Sequence, residues 1–217
     1  MRRRLLSLFG AALGAGAMLF AHPVPAHAER YSAPVGQAVD SIPVAAERRT
    51  GYDRDLFRHW IDADGDGCDT RDEVLISEAD DPVRVGSGCS LSGGRWYSYY
   101  EGGSQTSSSA LDIDHMVPLA EAWDSGARSW TSARRQAYAN DLGDSRSLVA
   151  VTAAQNRAKG DQDVAEWLPP RQRCRYLVEF VAVKIRWGLS VDSAERTAMR
   201  SLAAGCSGRV VTVTTVG

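Results

Sequence analysis

The chain has 217 residues, 44% hydrophobic and 24% charged, with 25 Lys+Arg against 27 Asp+Glu. Three of those cations and none of the acids fall in residues 1–28, so the remainder carries 22 against 27, a net charge of −5. That balance excludes long-range attraction to polyanions, and any nucleic-acid contact must come from a local basic surface.

Residues 1–28 read as an export signal. Arg2, Arg3 and Arg4 form its basic start, Leu5 to Phe20 an apolar core, and Ala26-His27-Ala28 an A-x-A cleavage site. The apolar run is short for a membrane anchor and is followed at once by Pro23 and Pro25. Cleavage near Ala28 leaves a secreted chain of about 190 residues, one domain of ordinary size, expected to be a monomer without a membrane anchor.

Residues 29–50 are polar, contain Pro34 and Pro43, and read as a flexible N-terminal arm. From Gly51 the folded domain begins and runs to 208. Tyr52, Leu56, Phe57, Trp60 and Ile61 recur there at helical spacing. An Asp/Gly loop, Asp62 to Asp69, precedes an apolar patch at Val74-Leu75-Ile76. Trp96, Tyr97, Tyr99 and Tyr100, broken by Gly and Ser, predict a strand or hairpin that continues through Leu111 to Asp114. Their expected use is core packing rather than stacking on bases. Helices are predicted near 119–124 and 131–140, and a short buried strand at Leu148 to Val151. Thr152 and Gln155 form a capping box for a helix that carries Asn156, Arg157 and Lys159 and stops at Gly160. Cys174, Leu177, Val178, Val181 and Ile185 share one helical face, and Asp192 with Glu195 caps a last helix. Residues 209–217 are a Thr/Val tail.

Four cysteines follow the signal, and an even number in an exported chain reads as disulfides. Of three pairings, Cys68–Cys89 with Cys174–Cys206 joins nearest neighbours and closes one loop in each half. Zinc is disfavoured, since no C-x-x-C occurs.

The chemistry concentrates in Asp112-Ile113-Asp114-His115-Met116-Val117-Pro118 and Asn156-Arg157-Ala158-Lys159-Gly160-Asp161. A carboxylate and an imidazole end an apolar run; a carboxamide with two cations lies on a short helix. These groups can hold a metal, accept a proton and bind phosphate. His59, beside Trp60 and without a partner motif, reads as structural.

This strand–strand–helix order, with D-H-x-x-P and a later N-R-x-K, resembles the HNH, or His-Me finger, nucleases. It is most similar to the C-terminal domain of GmrSD-type restriction enzymes and to small secreted actinobacterial nucleases. The similarity is densest over 110–170, includes Trp167-Leu168-Pro169, and extends upstream to Tyr52-Asp53-Arg54-Asp55 and Cys68-Asp69-Thr70-Arg71. The resemblance implies an α+β single domain built around a ββα-metal core with additional helices and stabilised by disulfides. It implies a metal-dependent endonuclease acting on DNA, or on RNA as well, with little sequence preference. Asp114 and Asn156 would hold one divalent cation, Mg²⁺ or Mn²⁺, and His115 would be the general base. Arg71 would clamp the scissile phosphate, and Arg157 and Lys159 are candidates for phosphate contacts. Many HNH enzymes orient the base through an Asn at the start of the second strand. Here that position is Ser147, so Ser147, Asn140 and the Ala150/Val151 backbone are open alternatives.

Asp62, Asp64, Asp66 and Glu73 satisfy the EF-hand pattern D-x-D-x-D-G-x5-E. Cys68 at the carbonyl position and Asp69 in place of the apolar anchor depart from it, so structural Ca²⁺ and an acidic turn are equal readings. A calcium-binding extracellular interaction module without catalysis is the competing function. A serine hydrolase is disfavoured because no G-x-S-x-G occurs.

Overall fold

The computed structural model describes residues 28–217, so the expected export signal, apart from its last residue Ala28, lies outside the described residues. In chain order the elements are β1 (Arg30–Pro34), α1 (Val35–Ser41), α2 (Thr70–Ser77), β2 (Asp81–Val85), β3 (Leu91–Ser98), β4 (Gly103–Gln105) and β5 (Leu111–His115). They continue with α3 (Leu119–Asp124), α4 (Ser132–Ala139), β6 (Leu148–Thr152), α5 (Ala153–Lys159), α6 (Arg173–Trp187), α7 (Ser193–Ala204) and β7 (Val210–Thr214). The fold is mixed α+β, with three small antiparallel sheets: β1–β7, β2–β3–β4 and β5–β6.

The β5–β6 ribbon organises the molecule because both of its faces are buried. Side chains alternate across a strand. Leu111, Ile113, Leu148 and Ala150 face a smaller core containing Val74, Leu75 and Trp96. Val149 and Val151 face the larger core, built on Tyr176, Leu177, Phe180 and Val181 of α6. The register sets Ile113 opposite Ala150 and Asp114 opposite Val149, so Asp114 and Asp112 share the face that looks toward the larger core. Helices α2 and α5 both pack against this ribbon. The N-cap residues are those expected, although at Thr152 only the first half of the capping box forms. The Thr152 side chain accepts the Gln155 N–H and Asp192 accepts the Glu195 N–H, satisfying otherwise orphaned helix donors.

Both disulfides form as paired above, with Cα–Cα distances of 5.0 Å for Cys68–Cys89 and 5.5 Å for Cys174–Cys206. Loops of these lengths stabilise by roughly 3–4 kcal/mol each through the unfolded chain. The aromatic run is core: Trp96, Tyr99 and Tyr100 are buried, and the Trp96 indole N–H donates to the Leu75 carbonyl. Among the described residues no helix is long and apolar enough to cross a membrane.

Three expectations are corrected. Residues 29–50 are not a free arm: β1 pairs with β7 from Arg30↔Thr214 to Pro34↔Val210, and α1 buries Val35, Ala38 and Val39. The Thr/Val tail is therefore a strand. Each half of this pairing is short and polar on one face, and only the partner at the opposite end of the chain gives it a buried side. The helix expected at 51–61 is a single 3₁₀ turn, Arg54–Leu56, whose approach passes through Gly51 at φ 82°. Trp60, at φ 57°, stops any continuation, since a bulky residue in the left-handed region cannot sit in an α-helix.

Candidate active site

Asp114, His115 and Asn156 line one cleft of about 210 Å³, together with Arg54, Arg157 and Asp161. Strand β5 delivers the first two and α5 the third. Adjacent residues of a strand point to opposite faces, which sends Asp114 toward α5 and α6 and His115 toward Trp60 and α4.

The His115 imidazole is held on three sides. Its Nε2 donates to the Ala139 carbonyl at 2.9 Å, the Trp60 ring lies 5.5 Å away, and Tyr138 stacks against it at 6.4 Å. The carbonyl fixes the tautomer, because an oxygen partner requires the proton on Nε2 and leaves Nδ1 as the acceptor. Nδ1 makes no hydrogen bond to the described residues. Burial pushes the His115 pKa down to about 3; the Ala139 bond opposes this, while Arg54, His59 and Lys159 add to it. The ring is thus neutral and proton-accepting throughout the physiological range.

The orienting group is none of the expected ones. Asn140 accepts from Ile61 N–H and the Thr70 hydroxyl and donates to the Arg58 and Gln136 carbonyls. The Ser147 hydroxyl donates to Asp141. Ala139 ends α4, where carbonyls lack intrahelical partners, and one of those orphans orients His115. Sequence offers no signal for a backbone acceptor.

Asp114 is nearly fully buried, at 3% exposure. Lys159 Nζ reaches its two oxygens at 2.7 and 2.6 Å and also donates to the His115 carbonyl at 2.8 Å; Tyr100 donates its hydroxyl to Oδ2 at 2.5 Å. Burial pushes Asp114 up and Lys159 down, and their mutual attraction opposes both shifts. Lys159 is therefore corrected from a phosphate contact to a strut. It sits three residues after Asn156, on the inward side of α5, and has no exposed surface. Arg157 points outward, its side chain 76% exposed, 3.5 Å from Asp112.

Asn156 donates its side-chain N–H to Asp112 at 3.2 Å, so its Oδ1 is left uncommitted at the cleft. Asn156 Oδ1 shares the cleft with the Asp114 carboxylate, which accepts three hydrogen bonds and so keeps capacity for one more contact; this oxygen-only set fits a small, hard divalent cation that keeps several waters. Arg71 is also corrected. It does not line the cleft; it donates to the Ser108 and Leu111 carbonyls and lies 3.7 Å from Asp72, fastening the segment that enters β5. Arg54 stands in the cleft instead. It lies in the Tyr52–Asp55 segment that carried part of the resemblance without a role. Tyr100 and Asp112 belong to the site without a motif that marks them, although Asp112 shares Asp114's strand face by simple alternation.

His59 bonds through Nδ1 to the Phe57 carbonyl at 2.8 Å, and its ring packs edge-on against Trp60. In the acidic loop, Asp62, Asp64 and Asp66 bring carboxylate oxygens within 4.8 Å of one another, and Glu73 approaches Asp66 and Cys68. Gly65 and Gly67 take φ of 79° and 96° to make the turn. Burial, then Asp66, Asp64 and Asp62, push the Glu73 pKa up.

Residues 74–202 match the family model described as GmrSD restriction endonucleases, C-terminal domain. A relative from Arthroderma benhamiae, described as an uncharacterized secreted protein, is 46% identical over 158 residues, 72% of this chain and 76% of the relative. No solved structure matches. The chain belongs to the family of GmrSD restriction endonuclease C-terminal domains.

Proposed function

We propose that the protein is a secreted, monomeric, metal-dependent endonuclease of the HNH type that hydrolyses DNA, or DNA and RNA, with little sequence preference. The carrying observation is His115: a buried neutral imidazole, its Nε2 committed to Ala139, its Nδ1 without a partner among the described residues, at a cleft shared with Asp114, Asn156 and two arginines. The β5–β6–α5 order supports a ββα core, and the family supports nuclease chemistry. Two disulfides and the secreted relative support export.

In this reading His115 Nδ1 takes the proton of the attacking water. The Ala139 carbonyl holds the ring's orientation and stabilises the imidazolium that forms. A substrate phosphate in the cleft offsets the Arg54 charge that depresses His115, so its basicity rises when substrate binds. Arg54 and Arg157 contact backbone phosphates, which position the strand without reading bases. Asp114 and Asn156 would hold Mg²⁺ or Mn²⁺, which would supply Lewis-acid stabilisation of charge at phosphorus and the leaving oxygen. The loop of Asp62, Asp64, Asp66 and Glu73 would be the place for a structural Ca²⁺.

Plasmid digestion by the mature protein tests the reading. Cleavage with Mg²⁺ or Mn²⁺ that EDTA stops is expected. Absence of cleavage of DNA and RNA under every divalent metal would leave the non-catalytic calcium module as the better account.

A further inference from the structure

Strand β5 and helix α5 meet in two rungs. Asp112 and Asp114 lie on one face of β5, roughly 7 Å apart along the strand. Asn156 and Lys159 lie on one face of α5, about 4.5 Å apart along the helix. In the inner rung Lys159 meets Asp114 at 2.7 and 2.6 Å. In the outer rung Asn156 Nδ2 donates to Asp112 Oδ2 at 3.2 Å. The register produces this match. Leu111 pairs with Thr152, the cap of α5, so the helix starts beside Asp112 and runs back toward His115, whose carbonyl Lys159 reaches.

The outer rung acts on an asymmetric group. A carboxamide turned by half a revolution about its last bond fills the same space but exchanges its oxygen for an NH2. Only the oxygen can bind a cation, because the NH2 has no acceptor capacity. Among the described residues, the bond to Asp112 is the one hydrogen bond that the Asn156 side chain makes. A carboxylate oxygen accepts and does not donate, so Asp112 selects the orientation with the NH2 toward β5 and Oδ1 toward the cleft. Arg157 Nε lies 3.5 Å from the same Asp112 oxygen and holds the carboxylate toward α5 from the solvent side. At 76% exposure that pair contributes aim rather than much energy.

On the reading of Asp114 and Asn156 as ligands of a divalent cation, we propose that Asp112 is a positioning residue. It fixes the amide orientation of Asn156 and thereby sets the affinity of the ligand pair, without being a ligand itself. Partners that orient a ligand from outside the coordination shell typically set metal affinity by about 10–100-fold.

Mn²⁺ binding to the mature protein, read from the electron paramagnetic resonance of the free ion, tests this. The binding component that Asn156→Ala weakens is the cleft site, which separates it from the 62–73 loop. Asp112→Ala should weaken that component by about 10–100-fold. In an Asn156→Asp background the same change should cost nothing, because a carboxylate has two equivalent oxygens and no wrong orientation. Asp112→Asn keeps an acceptor without the charge and should bind close to wild type; it also decides the matter if Asp112→Ala does not fold. Equal weakening by Asp112→Ala in both backgrounds would mean that only the charge of Asp112 counts, and it overturns the proposal. So does weakening by Asp112→Asn of about tenfold or more, or unchanged binding in folded Asp112→Ala. In these cases Asn156→Ala still weakens Mn²⁺ and the ligand reading stands. Mn²⁺ binding that is indifferent to Asn156→Ala removes both.

Discussion

Replacing Lys159 by Met isolates the buried ion pair at the cleft. The ammonium makes three hydrogen bonds, two to Asp114 and one to the His115 carbonyl, in a site with no exposed lysine surface. Without it, Asp114 keeps only the Tyr100 hydroxyl. Removing one partner of a buried pair typically costs about 3–5 kcal/mol. A second route gives the same size. If Asp114 escapes by taking a proton, doing so at neutral pH from its ordinary 3.8 costs about 4 kcal/mol. That cost shrinks to about 1 kcal/mol near pH 4.5, because protonation there is nearly free. Urea unfolding of wild type and Lys159→Met at both pH values measures the difference. The double variant Lys159→Met/Asp114→Asn should recover a large part of the loss at neutral pH, since no charge is then stranded. A Lys159→Met protein within about 1 kcal/mol of wild type at pH 7, or a loss that does not shrink in acid, refutes the strut.

Arg54→Ala and Arg157→Ala should each weaken duplex binding and lower the salt slope by about one, with the melting midpoint unchanged; fluorescence anisotropy across NaCl concentrations reads this, and unchanged slopes remove both residues from the phosphate track. Glu78 lies beside β6, accepts the Ala150 N–H at 2.8 Å, and burial pushes its pKa from 4.5 up to about 7. A raised acid contributes stability that is full below its unfolded pKa and lost as pH rises through the folded one. Glu78→Gln should therefore match wild type near pH 4.5 and gain up to about 3 kcal/mol at pH 8; a pH-independent difference would contradict this. Asp64→Asn should reduce the rise in melting midpoint that Ca²⁺ gives wild type, and an unchanged rise retires the 62–73 loop as a calcium site.

What could be read before folding was local. Asp114-His115 at a strand end, the Thr152 and Asp192 caps, and the turn at Gly160 depend on neighbours a few residues away. The cysteine pairing followed from proximity along the chain. Long-range partners were not legible. β1 and β7 each alternate too briefly to announce a strand, and they meet only in three dimensions. Lys159 and Arg157 look alike as cations on one short helix; the direction α5 faces buries one and exposes the other. Arg71 resembled a phosphate clamp until its guanidinium met two carbonyls. The Ala139 carbonyl has no side-chain signature at all, so the group that orients His115 was beyond any motif.

Proton transfer at this cleft rests on His115. Single-turnover cleavage of a defined duplex by wild type and His115→Ala, with circular dichroism to verify that both are folded, tests it most directly. A loss of about 10²–10⁴-fold is expected in the variant with its fold retained. Cleavage by folded His115→Ala at the wild-type rate would contradict it.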